Sequence, residues 1–302
     1  MKALGNYMLR TRVHAILVIS VLTLLSIFIS PFSYFISGAP MGLAALRKGP
    51  ATGLQVAAGC LLLTALPVMA LNQQPGVPIA FMATVWLPVI LCSGLLRNTQ
   101  SQGLMVLCAG TIGVFFTALI YVMLEDIQKW WHEWFELWKE YAASEPARQQ
   151  LEQAYQLISP LLSAIFASGF VISLIITMLL ARWWQSALFN PGGFRKEFYA
   201  LRLPRVLVFP TLAGLLTLLL IPGSASMALR DTVILMLVLY LFQGISVIHG
   251  FLYTRARSRV WLIVIYGMFF IMPRFILLFV SCVGIVNACL GGKPVRIGDN
   301  NA

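Results

Sequence analysis

Residues 103–124 read GLMVLCAGTIGVFFTALIYVML, a run of apolar and small residues that contains no charged side chain. An α-helix rises about 1.5 Å per residue, so roughly 20 apolar residues cross a hydrocarbon core about 30 Å thick. Residues 103–124 have this length and composition. They therefore predict a helix that crosses a membrane.

Similar runs recur along the chain, which is 60% hydrophobic and only 10% charged, whereas soluble domains carry about 25% charged residues. We predict an all-α, polytopic transmembrane helical bundle with about nine membrane segments. The second segment contains Gly38, Pro40 and Gly42 and is predicted to be re-entrant or broken. The predicted segments are 13–30, 31–47, 50–71, 78–96, 103–124, 157–181, 204–222, 232–252 and 260–285.

The net charge of +11 is assigned to membrane orientation, because Lys and Arg accumulate in cytoplasmic loops. With the N-terminus in the cytoplasm, 14 of the 21 basic residues lie at cytoplasmic ends. The outer loop 125–156 has three basic and seven acidic residues, a net charge of −4. We predict a multi-pass protein of the bacterial inner membrane with the lipid bilayer, and no nucleic acid, as its partner. An even number of spans would place Lys293 and Arg296 inside.

The outer loop contains Trp130, Trp134 and Trp138 at helical spacing, with charged residues on the opposite face. This pattern is typical of a helix that lies in the membrane interface. Ser144 is predicted to cap a second helix that leads into the next span. Three roles stay open for the resulting hairpin: a membrane anchor, a gate over a substrate cavity, and a docking surface.

A second amphipathic stretch lies between residues 190 and 205. Phe194, Phe198 and Leu201 fall on one face, as in a short basic helix at the inner leaflet. The basic side chains of this stretch are expected to contact anionic lipid or a protein partner, and Glu197 is expected to pair with one of them. These basic side chains are Arg195, Lys196 and Arg202.

Arg274 is placed near the middle of segment 260–285. A charged residue at that depth is costly and usually marks function. On the preceding segment, Gln243 is expected at a similar depth with Tyr240 on a neighbouring part of its face, and His249 and Tyr266 complete a candidate ligand-binding group. The alternative is that Arg274 extends to the interface or that Pro273 ends the helix early.

The sequence shows no nucleophile with a base, no paired carboxylates and no metal cluster, so no catalytic residue, metal or cofactor is predicted. The five cysteines lie in apolar runs without a C-x-x-C spacing and are interpreted as small hydrophobic residues. These cysteines are Cys60, Cys92, Cys108, Cys282 and Cys289.

The motifs NPGGFRKEF at 190–198 and QGISVIH at 243–249, with Trp261, Leu262 and Tyr266, resemble the YybS-like family of predicted bacterial membrane proteins. That family is a domain of unknown function. The resemblance covers nearly the whole chain and implies a membrane protein without an assigned activity.

The stretch APMGLAALRKGP at 39–50 resembles the substrate-binding subunits of energy-coupling-factor transporters and the rod-shape protein MreD. This resemblance implies a six-helix core at 1–184, which includes the hairpin 125–156, then a linker at 185–203 and a three-helix extension at 204–302. The A-x-x-x-A docking motif of those transporter subunits is not found in 13–30.

Two functions are expected. The first is a transport-related component that binds a small molecule or lipid in a membrane cavity. The second is a non-catalytic scaffold for an unknown membrane or envelope protein. Neither expectation predicts an oligomeric state.

Overall fold

The computed structural model describes residues 2–27, 33–70, 76–141, 144–221, 227–255 and 260–291, and within these ranges it contains helices and no strand. A π-helical turn at Met82–Trp86 joins α5 to α6. The α-helices are α1 Lys2–Met8, α2 Arg12–Ile27, α3 Ser33–Lys48, α4 Pro50–Ala70, α5 Gly76–Phe81, α6 Leu87–Thr99, α7 Gln102–Met123, α8 Ile127–Lys139, α9 Glu145–Ile158, α10 Leu162–Phe189, α11 Gly193–Tyr199, α12 Val208–Leu220, α13 Met227–Thr254, α14 Val260–Ile271 and α15 Pro273–Cys289.

Five helices or helical runs are long and apolar enough to cross a membrane: α4, α5 to α6, α7, α9 to α10, and α13. Four further apolar helices, α2, α12, α14 and α15, are shorter. Helix α3 is continuous with Pro40 inside it, so the described part of the predicted segment 31–47 is not broken. Parts of the predicted segments at 28–32 and 71, and also Arg257, Arg259, Lys293 and Arg296, lie outside the described residues.

Helices α2, α3 and α10 lie at the centre of the bundle with the π-helical turn, and buried hydrogen bonds link α2, α3 and this turn. The Thr23 and Ser37 hydroxyls are 2.7 Å apart, and the Trp86 indole Nε1 donates to Ser37 Oγ at 2.8 Å. Trp86 is fully buried. Buried polar groups are costly unless hydrogen-bonded, so these hydrogen bonds fix how α2, α3 and the Trp86 turn sit together.

The predicted single segment 260–285 is wrong in one respect, because α14 and α15 are separate helices that join at Met272. Met272 has φ −136° and ψ 61°, which a helix cannot accommodate, and Pro273 then opens α15 as its first residue, a position that proline favours. At about 1.5 Å per residue, the 12 residues of α14 and the 17 of α15 are shorter than the hydrocarbon core.

Helix α15 runs parallel to α13. Ser281 Oγ donates to the Leu237 carbonyl at 2.9 Å, and Gln243 Nε2 donates to Asn287 Oδ1 at 3.0 Å. Both pairs are 44 residues apart, and a constant separation is the signature of two helices with the same direction. Helix α14 contacts α13 where His249 Nε2 and the Tyr266 hydroxyl are 2.8 Å apart.

Helices α13 and α15 approach to backbone contact. A Cβ atom on Gly244 would lie 2.0 Å from the Val280 carbonyl oxygen, and one on Gly284 would lie 2.1 Å from that of Tyr240. Glycine at both positions removes the only side-chain atoms that would separate the backbones. Such close crossings are common where small residues meet between membrane helices.

Candidate functional site: an apolar chamber beneath the tryptophan helix

Helix α8 begins where Asp126 caps it, with Asp126 Oδ1 accepting from the backbone N–H groups of Gln128 and Lys129 at 2.9 and 3.0 Å. Aspartate is a favoured residue at this position because it satisfies free N–H groups and suits the helix dipole. We call α8 the tryptophan helix, and the end of the bundle that carries α8 and α9 the hairpin end. The opposite end, which carries α11, is the basic end.

The tryptophan rings form a continuous row along α8. Ring centroids lie 6.4 Å apart for Trp130 and Trp134 and 5.8 Å apart for Trp134 and Trp138. The sequence predicted this shared face. Trp131, which the spacing argument left out, turns inward, packs 4.7 Å from Phe166 and donates from Nε1 to Ser163 Oγ at 2.8 Å. The tryptophan helix is therefore held against α10.

The second half of the hairpin confirms the predicted Ser144 cap, because Ser144 Oγ accepts from the Ala147 N–H at the start of α9. Lys139 Nζ lies 2.8 Å from Glu152 Oε2 and joins α8 to α9. This pairing lowers the pKa of Glu152 and raises the pKa of Lys139. Both side chains are partly exposed, so the pair contributes little stability.

A chamber of about 460 Å³ lies between the tryptophan helix, the end of α7 and the start of α10. This volume falls in the range of small-molecule sites, about 300–1,000 Å³. Its walls are aromatic and aliphatic, and among the described residues that line it none carries a charge. The lining residues are Thr84, Gly113, Phe116, Thr117, Leu119, Ile120, Tyr121, Met123, Leu124, Ile127, Trp130, Trp131, Trp134, Ser163, Phe166, Ala167 and Phe170.

Behind one wall of the chamber lies a fully buried carboxylate, Asp231, in the second turn of α13. The Tyr121 hydroxyl lines the chamber side of this pair and donates to Asp231 Oδ2 at 2.8 Å. Arg230 Nε lies 3.5 Å from Asp231 Oδ1, and its guanidinium also donates to the Pro160 carbonyl. A buried carboxylate in a membrane helix is costly unless paired, and such residues mark functional sites by default.

Asp231 is not among the predicted site residues. The predicted segment begins at residue 232, which places Arg230 and Asp231 in a loop. Helix α13 in fact begins at Met227, so both residues lie within the helix. One feature of the sequence does indicate Asp231: it stands directly before an uninterrupted apolar run. Seven of the ten acidic residues lie in the hairpin, so an acidic residue at this place in the chain is unusual.

The residues predicted to form one polar group with Arg274 do not lie together in the structure. Arg274 is exposed in the first turn of α15, as in the alternative in which Pro273 interrupts the helix. Gln243 is fully buried, and its Oε1 accepts from the Leu203 backbone N–H at 3.0 Å. Tyr240 is also buried and lies one turn before Gln243. These contacts give Gln243 a structural role between α13, α15 and the chain before α12.

His249 and Tyr266 do meet, but the space that they enclose with neighbouring apolar side chains is about 10 Å³. A cavity of that size holds at most one water molecule. The adjacent groove of about 500 Å³ between α13, α14 and α15 is lined by apolar side chains. The chamber at the hairpin end, by contrast, has Thr117, Tyr121 and Ser163 in its lining and adjoins the buried Asp231. We therefore place the candidate site in the chamber.

Helix α11 lies against the end of α13 by its aromatic side. Phe194 and Phe198 stack with centroids 5.9 Å apart, and Phe198 packs edge-on against His249. The Glu197 carboxylate, which was expected to pair with Arg195 or Arg202, binds the Arg182 guanidinium through two hydrogen bonds. Arg195 and Lys196 are exposed. Arg202 follows α11 and donates to the Leu201 carbonyl. Burial lowers the pKa of the Arg202 guanidinium.

The helices of membrane-crossing length and the large apolar side chains exposed around them define an all-helical membrane protein. Phe270, for example, is 90% exposed on α14. A family model described as predicted membrane protein, DUF2232, matches residues 15–287. The chain belongs to this family of predicted membrane proteins. No curated protein and no solved structure matches it.

Proposed function

We propose that this protein binds a lipid or another apolar molecule in the chamber beneath the tryptophan helix and acts as a transport-related component. The observation that carries the proposal is the chamber itself: a half-open cavity of about 460 Å³ lined mainly by aromatic and aliphatic side chains of α7, α8 and α10. In this proposal the protein is not an enzyme and needs no cofactor.

The proposed orientation follows from the charges. The basic end faces the cytoplasm of a bacterial cell, in agreement with the positive-inside rule, and the hairpin with its net charge of −4 faces outward. Tryptophan side chains favour the interface between lipid and water. The chamber then opens within the outer leaflet of the inner membrane, where lipid molecules have direct access to it.

Filling the chamber tests this proposal. Ala167 on α10 lines the chamber. Ala118 on α7 is exposed and does not line it. We expect Ala167→Phe to weaken binding of a dibrominated lipid at least tenfold, about 1.4 kcal/mol, because the new ring occupies the ligand's volume. The measurement is quenching of tryptophan fluorescence in nanodiscs, since Trp130, Trp131 and Trp134 line the chamber.

Ala118→Phe is the matched control, because it adds the same ring to the lipid-facing side of α7. It should leave quenching unchanged. Equal quenching in both variants and in the unaltered protein would contradict a ligand site in the chamber. Native mass spectrometry of the unaltered protein would identify what it retains on purification.

A second candidate function is a scaffold for another membrane or envelope protein. The observation that favours it is the charged side of α11, where Arg195 and Lys196 stay exposed although the aromatic side is already packed. A photo-cross-linker at position 195 should then capture one protein reproducibly. Capture of lipid alone would count against the scaffold.

A further inference from the structure

Apart from the indole N–H groups of its tryptophans, the polar side-chain groups of the chamber are hydroxyls, and most of the hydroxyl protons are already donated. Thr84 Oγ1 donates to the Ala80 carbonyl at 2.7 Å, and Thr117 Oγ1 donates to the Gly113 carbonyl at 2.8 Å. A hydroxyl has one proton and two acceptor lone pairs. Both threonines can therefore accept a hydrogen bond from a ligand without breaking the bond that they donate.

Two further hydroxyls, those of Ser163 and Tyr121, belong to residues that line the chamber. Ser163 Oγ accepts from Trp131 Nε1 at 2.8 Å, and the Tyr121 hydroxyl donates to Asp231 Oδ2 at 2.8 Å. The buried Asp231 carboxylate can only accept when ionised. It therefore engages the Tyr121 proton, and the lone pairs of the Tyr121 oxygen remain for a ligand hydroxyl.

The electrostatic surroundings disfavour an anionic ligand. None of the described residues that line the chamber is basic. Arg230 is the basic residue beside the Tyr121 and Asp231 pair, and it already lies against Asp231 and the Pro160 carbonyl. Glu125 and Asp126 occupy the turn between two lining residues, Leu124 and Ile127. An anion in this chamber would have no paired cation, which is costly in apolar surroundings.

We propose that the ligand is an uncharged lipid whose head group donates a hydrogen bond, such as a diacylglycerol or a long-chain alcohol. Its hydrocarbon chains occupy the aromatic part of the chamber, and its hydroxyl donates to the Tyr121 oxygen. Asp231 acts as a positioning residue that orients the Tyr121 hydroxyl. This inference rests on the proposed function and names the ligand class of the same chamber.

The test compares three dibrominated probes that share the same acyl chains: a diacylglycerol, its methyl ether and a phosphatidic acid. The full-length protein is placed in phosphatidylcholine nanodiscs, and tryptophan quenching gives the affinity for each probe. We expect the alcohol to bind about threefold to tenfold more tightly than the ether, the range for one hydrogen bond. We expect the phosphatidic acid to bind more weakly than either neutral probe.

Tyr121→Phe removes the phenol oxygen and should lower the affinity for the alcohol to that for the ether, with the affinity for the ether unchanged. Tyr253→Phe is the matched control, since that ring lies beside Tyr199 at the basic end, and it should change neither affinity. The comparison of probes on the unaltered protein needs no variant, so it still tests the ligand class if Tyr121→Phe fails to fold.

The outcomes separate the two proposals. Equal binding of the alcohol and the ether, or tightest binding of the phosphatidic acid, would overturn the inferred ligand class and leave an apolar site in the chamber. Failure of all three probes to quench above the level seen with Ala167→Phe would overturn the proposed function as well.

Discussion

Asp231→Leu is expected to lower the free energy of unfolding by about 3–5 kcal/mol, the range for removing one partner from a buried charge pair. Asp231 is buried from both water and lipid, since it has no accessible surface. Leucine would leave the Tyr121 hydroxyl without its acceptor and the Arg230 guanidinium without its carboxylate. The Tyr121 hydroxyl would then lack its acceptor in apolar surroundings, and Arg230 would keep the Pro160 carbonyl but no carboxylate.

Two comparisons make this prediction specific. Asp231→Asn keeps an acceptor for Tyr121 and should cost less than leucine. Adding Tyr121→Phe to Asp231→Leu should recover part of the loss, because it removes one of the unpaired groups and contacting residues are not additive. The midpoint of thermal unfolding in detergent, followed by size-exclusion chromatography, measures all three. A leucine variant as stable as the unaltered protein would mean that Asp231 is not paired as described.

The second large effect is expected at the crossing of α13 and α15. Gly284→Ala places a Cβ atom 2.1 Å from the Tyr240 carbonyl oxygen and 3.1 Å from the Gly244 nitrogen. Backbone atoms cannot turn aside as a flexible side chain can, so the helices must separate. We expect a loss of about 1–3 kcal/mol from overpacking, with more if the Ser281 and Asn287 hydrogen bonds break.

Gly267→Ala on α14 is the matched control, because nothing lies within 4 Å of a Cβ atom there. In a helix this exchange should be neutral or slightly stabilising. The readout is unfolding in mixed detergent and SDS. Similar stabilities of the two alanine variants would contradict the close crossing.

The pair Gln243→Cys and Asn287→Cys tests the parallel direction of α13 and α15 independently. A disulfide should form between these two positions, because their side chains are hydrogen-bonded in the structure.

The apolar runs and the helix caps were predictable because they are local. Residues 103–124 form α7 within one residue at each end, and Ser144 caps α9 as its sequence position indicates. In a lipid environment each helix must satisfy its own backbone hydrogen bonds, so length and composition of a run determine most of its structure. The count of nine segments stays a prediction, since the structure holds five helical runs of crossing length.

The candidate site was only half predictable. The spacing of Trp130, Trp134 and Trp138 located the tryptophan helix, and a gate over a cavity was one of the roles left open for it. Arg274 drew attention as the charge nearest the middle of a predicted span, but the break at Met272 places it in the first turn of a new helix. Asp231 was passed over because the start of α13 was placed five residues too late.

The sequence by itself determined the class of this protein, its helical content and the amphipathic character of α8, because each of these depends on residues that are neighbours along the chain. Only the tertiary structure decided that α15 runs parallel to α13, that Asp231 is buried against Tyr121, and that a chamber lies beneath the tryptophan helix. Tyr121 and Asp231 are 110 residues apart. Contacts across such distances depend on how the helices pack, and the periodicity of one helix does not specify its neighbours.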